Sequence, residues 1–177
     1  EWFQPEGDRF ERPPLETLKE LINKLDIKLM VKEVGHGFGP KSLQELIKLP
    51  LVAIELAGFG GTNFSALEAL RAAKSDAFTP CNDLINVGHS TEDMIDSINK
   101  IIAAKTPGNC HDIIISGGVK GPLDAYYLRS KLQCPNVIGQ AAAILKYAQE
   151  SVEALDRYVE NFLSTYQMAQ AFLTIKE

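Results

Sequence analysis

The chain has 177 residues and a mass of 19.5 kDa, the size of one domain or of part of a larger one. At 45% hydrophobic and 23% charged residues, with 13 Gly and 9 Pro, its composition excludes disorder, collagen and coiled coil. A net charge of −5 leaves no basic stripe for a phosphate backbone, and runs such as Ile113-Ile114-Ile115 are far too short for a membrane span, so neither nucleic acid nor membrane is an expected partner.

Short apolar runs alternate along the chain with longer helical patterns. Pro13-Pro14 opens a helix in which Leu15, Leu18, Leu21, Ile22 and Leu25 recur at helical spacing. Leu29 to Val34 then reads as a strand, closed by Gly35-His36-Gly37-Phe38-Gly39-Pro40. Ser42 with Glu45 is a capping-box signature, and Leu43, Leu46 and Ile47 form the apolar face behind it. Leu51 to Ala57 is the second strand, closed by Gly58-Phe59-Gly60-Gly61-Thr62, and a helix follows from Asn63 to Lys74. Ser75 to Cys81 reads as loop, while Leu84 to Val87 carries no decisive pattern.

Ser90 or Thr91 starts the next helix, with Met94, Ile95, Ile98, Ile101 and Ile102 inward and Pro107-Gly108-Asn109 as its stop. The third strand is Asp112 to Ser116, closed by Gly117-Gly118 and followed by a helix from Leu123 to Leu132. Asn136 to Gln140 is the fourth strand. From Ser151 a long amphipathic pattern puts Val152, Leu155, Val159, Phe162, Leu163 and Tyr166 on one stripe.

Strands apolar on both faces and separated by helices predict an α/β fold with a parallel sheet buried between helices. Four such strands suit an open sheet or half of a (β/α)8 barrel, which takes about 250 residues and eight strands to close. The cysteines, Cys81, Cys110 and Cys134, are odd in number and lack C-x-x-C spacing, against both a disulfide scaffold and structural zinc. The opening Glu1-Trp2-Phe3-Gln4 has neither a basic segment nor an apolar one and lacks an initiator Met. It reads as a chain already under way, expected in the cytoplasm.

Three of the four strands end in glycine, at the C-terminal edge where parallel α/β proteins bind ligands. The set favours ligand binding over tight turns alone. Ser116-Gly117-Gly118 and Ile138-Gly139-Gln140-Ala141 stand where barrels hold phosphate after their last two strands. Rossmann and P-loop spacings are not met, which argues against a nucleoside triphosphate. Lys32 and Glu55 interrupt strands that should be buried, where a charge is costly unless paired. Lys32 meets an anionic ligand with Glu55 as counter-ion, or the two pair inside the sheet with no catalytic role; both readings stay open here. His36, His89 and His111 show no H-E-x-x-H spacing and read as loop residues. No G-x-S-x-G or Cys–base pairing supports hydrolase chemistry.

Val31-Lys32-Glu33-Val34-Gly35, Gly60-Gly61-Thr62-Asn63-Phe64, Ser116-Gly117-Gly118-Val119-Lys120 and the opening Glu1 to Asp8 resemble segments of type 2 isopentenyl-diphosphate isomerase, in that family's order and approximate spacing. The resemblance implies residues 1–177 of this chain as the C-terminal half of one (β/α)8 barrel domain, with the N-terminal half absent. It implies an FMN-dependent enzyme that interconverts isopentenyl and dimethylallyl diphosphate. Such an enzyme uses reduced flavin and Mg²⁺, draws electrons from NADPH and forms homo-oligomers.

Carried over by position, Lys32 would lie near the flavin ring and Thr62 would contact it from the next strand end. Gly117 and Gly118, with Lys120 close by, would cradle the FMN phosphate, joined by backbone from Gln140, Ala141 and Ala142. Glu1 matches the family's Mg²⁺-binding carboxylate, in keeping with the cation's use of one or two carboxylates plus diphosphate oxygens. Ala57 replaces a Ser that many members have, and Phe64 replaces a Trp. The family's basic substrate-binding residues lie upstream of Glu1, so the catalytic residues are expected outside this chain and the isolated chain is expected to be inactive. Two alternatives are another FMN barrel, of the hydroxy-acid oxidase or dihydroorotate dehydrogenase type, and a half-barrel with no catalytic role.

Overall fold

The computed structural model describes residues 11–72, 82–110 and 112–176. Helix α1 (Pro14–Lys24) precedes strand β1 (Met30–Lys32), and α2 (Pro40–Ile47) leads to β2 (Ala53–Glu55). Helix α3 (Phe64–Ala72), a 3₁₀ turn (Asn82–Asn86) and α4 (Thr91–Ala103) stand before β3 (Ile113–Ile115). Helix α5 (Pro122–Lys131), β4 (Asn136–Ile138), α6 (Ala142–Glu150) and α7 (Val152–Phe172) complete the chain.

The four strands form one parallel sheet in the order β1-β2-β3-β4. Strands laid side by side in chain order, joined by crossovers of one hand, place their connecting helices on the same face. A doubly wound sheet would need a reversal of strand order, and none occurs here. The register fixes which residues share a face: Val31, Ile54, Ile113 and Asn136 align in one row, and Lys32, Glu55, Ile114 and Val137 in the next.

Among the described residues, only the first face is covered. Ile54, Ile113 and Ile115 pack there with Leu43, Leu46 and Ile47 of α2, Met94, Ile95 and Ile98 of α4, and Ala125 and Leu128 of α5. On the second face Met30 and Val137 are more than half exposed. The expectation of a sheet buried between helices is thus corrected to a sheet covered on one side. Its winding is consistent with part of a barrel, and four strands leave both edges, β1 and β4, unpaired among the described residues.

Local differences from the sequence reading have local causes. Helix α2 starts at Pro40 with Gly39 as N-cap, because proline is pre-organised for the first helical position. The Ser42–Glu45 capping box therefore does not form, and Glu45 pairs with Lys48 instead. Ser90 does cap α4: its hydroxyl accepts from the Asp93 N–H while the Asp93 carboxylate accepts from the Ser90 N–H. Asn63 caps α3 by accepting from the Ala66 N–H at 3.0 Å.

The undecided stretch at Leu84 is the 3₁₀ turn. Helix α6, which alanine-rich sequence after a strand did not signal, is a separate element. The predicted stripe of α7 is only partly inward. Phe162 and Tyr166 join the core, whereas Val152, Val159 and Leu163 are exposed and Ala154 and Ala169 are the buried positions. No helix among the described residues is long and apolar enough to cross a membrane.

Candidate functional site

The glycine-rich ends of the four strands enclose a cleft of about 530 Å³, in the range of small-molecule sites. It brings together Lys32, Thr62, Gly117, Gly118, Gln140, Ala141 and Ala142, seven of the residues singled out from sequence. Lys120 does not line it; that residue is exposed, and its N–H donates to Asp124 Oδ2 at 2.9 Å. Glu1, like Cys81 and His111, lies outside the described residues.

Each strand end contributes a loop shaped by its own hydrogen bonds. After β1, Glu33 Oε2 accepts from the N–H groups of Gly35, His36 and Gly37, each at 2.7 Å, which draws the loop into a tight turn. After β3, the Thr91 hydroxyl at the start of α4 lies 2.9 Å from the Ser116 carbonyl and 2.6 Å from that of Gly117. Gly117 adopts φ +84°, and a Cβ there would lie 2.2 Å from the Gly58 carbonyl oxygen. Glycine at this position is required for the β2 and β3 loops to touch, whatever the cleft holds. Gly61 differs, since a Cβ there would meet nothing within 4 Å.

The floor of the cleft is polar. Lys32 Nζ lies 3.5 Å from Glu55 Oε1, and the Ser116 hydroxyl donates to the same carboxylate oxygen at 2.9 Å. Ser116 Oγ in turn accepts the N–H of Ala57 at 3.1 Å, holding a non-glycine residue at φ +42°. Lys32 Nζ also donates to the Glu33 carbonyl at 2.9 Å. Lys32 and Glu55 are the charged groups among the described lining residues, and they balance. The ion pair weighed from sequence therefore exists, and it sits in the cleft, with the lysine half exposed at the sheet edge.

The opposite wall is the β4–α6 junction. Ala141 is the N-cap of α6, and no side chain caps this end. Leu145 N–H donates to the Ala141 carbonyl, so the N–H groups of the first turn, at Ala142 and Ala143, have no carbonyl ahead of them within the helix. Both residues line the cleft. Such an end attracts anions through its free donors and the helix dipole. Gln140 is fixed from both sides: its Nε2 donates to the Val119 carbonyl at 3.0 Å, and its Oε1 accepts from the Tyr158 hydroxyl. Burial pushes the Tyr158 hydroxyl above its usual range, and its ring stacks on Tyr147 at 4.5 Å. The side chain of Gln140 is thereby spent on structure, leaving backbone to face the cleft.

Sequence reasoning missed Ala143 and the work of Ser116. A small-residue run straight after a strand was the available signal for the first; nothing in a Ser-Gly-Gly triplet announces the second. Among the described residues no group of three or more His, Cys, Asp or Glu is arranged to hold a metal ion.

No protein-family model matches the chain. Among curated proteins, it is similar to the isopentenyl-diphosphate delta-isomerase of Rickettsia felis (strain ATCC VR-1525 / URRWXCal2). The two are 34% identical over 160 residues, which is 90% of this chain and 44% of that protein. The same-named protein of Rickettsia prowazekii (strain Madrid E) is 34% identical over 148 residues, 84% of this chain and 41% of its own. That of Rickettsia akari (strain Hartford) is 32% identical over 160 residues. The chain spans less than half the length of these relatives.

Proposed function

We propose that this chain is the flavin-phosphate half of a (β/α)8 barrel that isomerises isopentenyl diphosphate to dimethylallyl diphosphate with reduced FMN and Mg²⁺. The activity in the relatives' names supports the isomerisation. The observation that carries the flavin is the convergence of Lys32, Thr62, the Gly117-Gly118 loop and the uncapped start of α6 on one cleft at the C-terminal strand ends.

The residues present fit FMN. The N–H groups of Ala142 and Ala143, with the Gly117-Gly118 loop, would hold the phosphate; Thr62 and Lys32 would meet the ring. When bound, the flavin supplies the electron-rich group that exchanges a proton with the substrate, while the protein supplies position and charge. Lys32 would place a positive charge beside that ring, and Gln140, locked by Tyr158 and Val119, would keep the phosphate wall rigid. Glu1 would hold Mg²⁺ against the diphosphate, an assignment that rests on the resemblance. The remaining strands, supplied by sequence beyond this chain, would close the barrel and clamp the substrate.

The test is a titration of the chain with FMN, followed by flavin fluorescence, beside riboflavin, which lacks the phosphate. Saturable quenching by FMN and weak quenching by riboflavin is the expected result. Equal binding of the two would overturn the phosphate assignment. In the complete barrel, conversion of isopentenyl diphosphate without net flavin oxidation is expected; stoichiometric oxidation by substrate would instead favour an oxidase or dehydrogenase of the same fold. The isolated chain is expected to bind flavin and not turn over, since reaction needs substrate and cofactor held together.

A further inference from the structure

We infer that Glu55 and Ser116 are positioning residues that set how much positive charge Lys32 presents to a ligand in the cleft. The inference rests, for its flavin arm, on the FMN reading above. Its basis is a continuous chain of contacts across two strands and two loops. Ala57 N–H donates to Ser116 Oγ (3.1 Å), Ser116 Oγ donates to Glu55 Oε1 (2.9 Å), and that oxygen faces Lys32 Nζ at 3.5 Å.

The roles in this chain are fixed by burial. Ser116 is 7% exposed and has its hydroxyl satisfied on both sides, so it cannot swing toward a ligand. By holding one carboxylate oxygen it orients Glu55, whose side chain is 19% exposed, along the cleft floor. Lys32, 53% exposed, is the solvent-facing end, tethered by Glu55 and by the Glu33 carbonyl. Unpaired, its ammonium would draw any anionic or electron-rich group onto the β1 side of the cleft. With Glu55 in place the floor is neutral, and the free N–H groups at α6 become the stronger anion-attracting end. A ligand with a charged phosphate and a polarisable ring is then bound in one orientation, phosphate toward α6 and ring toward Lys32.

Position along the strands supports this division. Lys32, Glu55 and Ile114 lie in one row of the open sheet face, and Ser116 stands above Ile114 on that face, next to the glycine loop. The pair is therefore on the ligand side of the sheet rather than in the helix-covered core. With Lys32 53% exposed, water screens the pair, so it adds little to folding stability.

The experiment compares wild type with Glu55→Gln and Ser116→Ala in two arms. In the apo chain, inorganic phosphate is titrated while backbone amides are followed by NMR. Wild type is expected to respond at Ala142 and Ala143. Glu55→Gln is expected to respond also at Lys32 to Gly35, with about fivefold tighter phosphate binding there. In the second arm, the affinities for oxidised and reduced FMN are measured. Glu55→Gln is expected to raise the ratio favouring reduced FMN about tenfold, a rise of about 30 mV in two-electron potential, and Ser116→Ala about threefold in the same direction. A merely structural role would lower both affinities together and leave the ratio alone.

A Glu55→Gln cleft whose phosphate response matches wild type overturns the inference, whether or not FMN binds. An unchanged FMN ratio in a variant that binds the flavin overturns it as well. A wild-type chain that binds no FMN, with a variant that gains phosphate affinity at Lys32, overturns the cofactor reading and leaves the charge-setting role standing.

Discussion

Ile54 and Glu55 are neighbours on one strand and belong to different parts of the molecule. Ile54 is fully buried against α2 and α4, whereas Glu55 faces the open side and the cleft. The same division runs across the sheet, with Ile113 and Ile115 covered and Ile114 and Val137 on the open side. Stability and ligand chemistry are thus carried by alternate residues of the same strands, because successive side chains point to opposite faces. A change on one face can be read with little interference from the other.

The largest effect is expected on the covered face. Ile54→Ala should lower unfolding free energy by about 3 kcal/mol, read from the midpoint of urea unfolding. A loss below about 1 kcal/mol would mean that α2 and α4 do not seal that face. Next comes the seam between the β2 and β3 loops. Gly117→Ala adds a methyl group against the Gly58 carbonyl at positive φ and should cost about 2 kcal/mol, with loss of FMN binding. Full stability with intact binding would show that the two loops do not touch.

A third test uses pH on the N-terminal side of the sheet, where Cys110 and Cys134 line an apolar cavity with Ile47, Ile98 and Ile113. Burial pushes the Cys134 thiol up to about 11 and raises that of Cys110 too. The unfolded chain then loses these protons at lower pH than the folded one, so stability should fall as pH rises from about 9 toward 11. Cys134→Ala should flatten that slope, and an equal slope in the variant would place the alkaline loss elsewhere. The smallest effect belongs to the open face. Val137→Thr, at a position 56% exposed, should change stability by less than about 0.5 kcal/mol. A larger loss would show that this face is covered in solution.

Much of this arrangement was legible in the chain. The alternation of short apolar runs with helical periodicity placed the four strands, and glycine at their ends placed the cleft, because tight turns at strand termini require it. A helix start at Ser90 or Thr91 was readable because capping is a local hydrogen bond made within three residues, and Ser90 is the cap. The Ser42 cap failed where a proline two residues earlier offered a better start. The α7 stripe failed because periodicity identifies an apolar face without saying what is there to cover it.

By itself the sequence determined the elements, their order and the residues at the strand ends, since these follow from spacing and backbone preference within a few positions. Only the tertiary structure decided that α2, α4 and α5 cover one face, that Lys32 meets Glu55 across adjacent strands, and that Ser116 holds that carboxylate from 61 residues away. Strand order and register bring those groups together, and neither is written in any local run of residues.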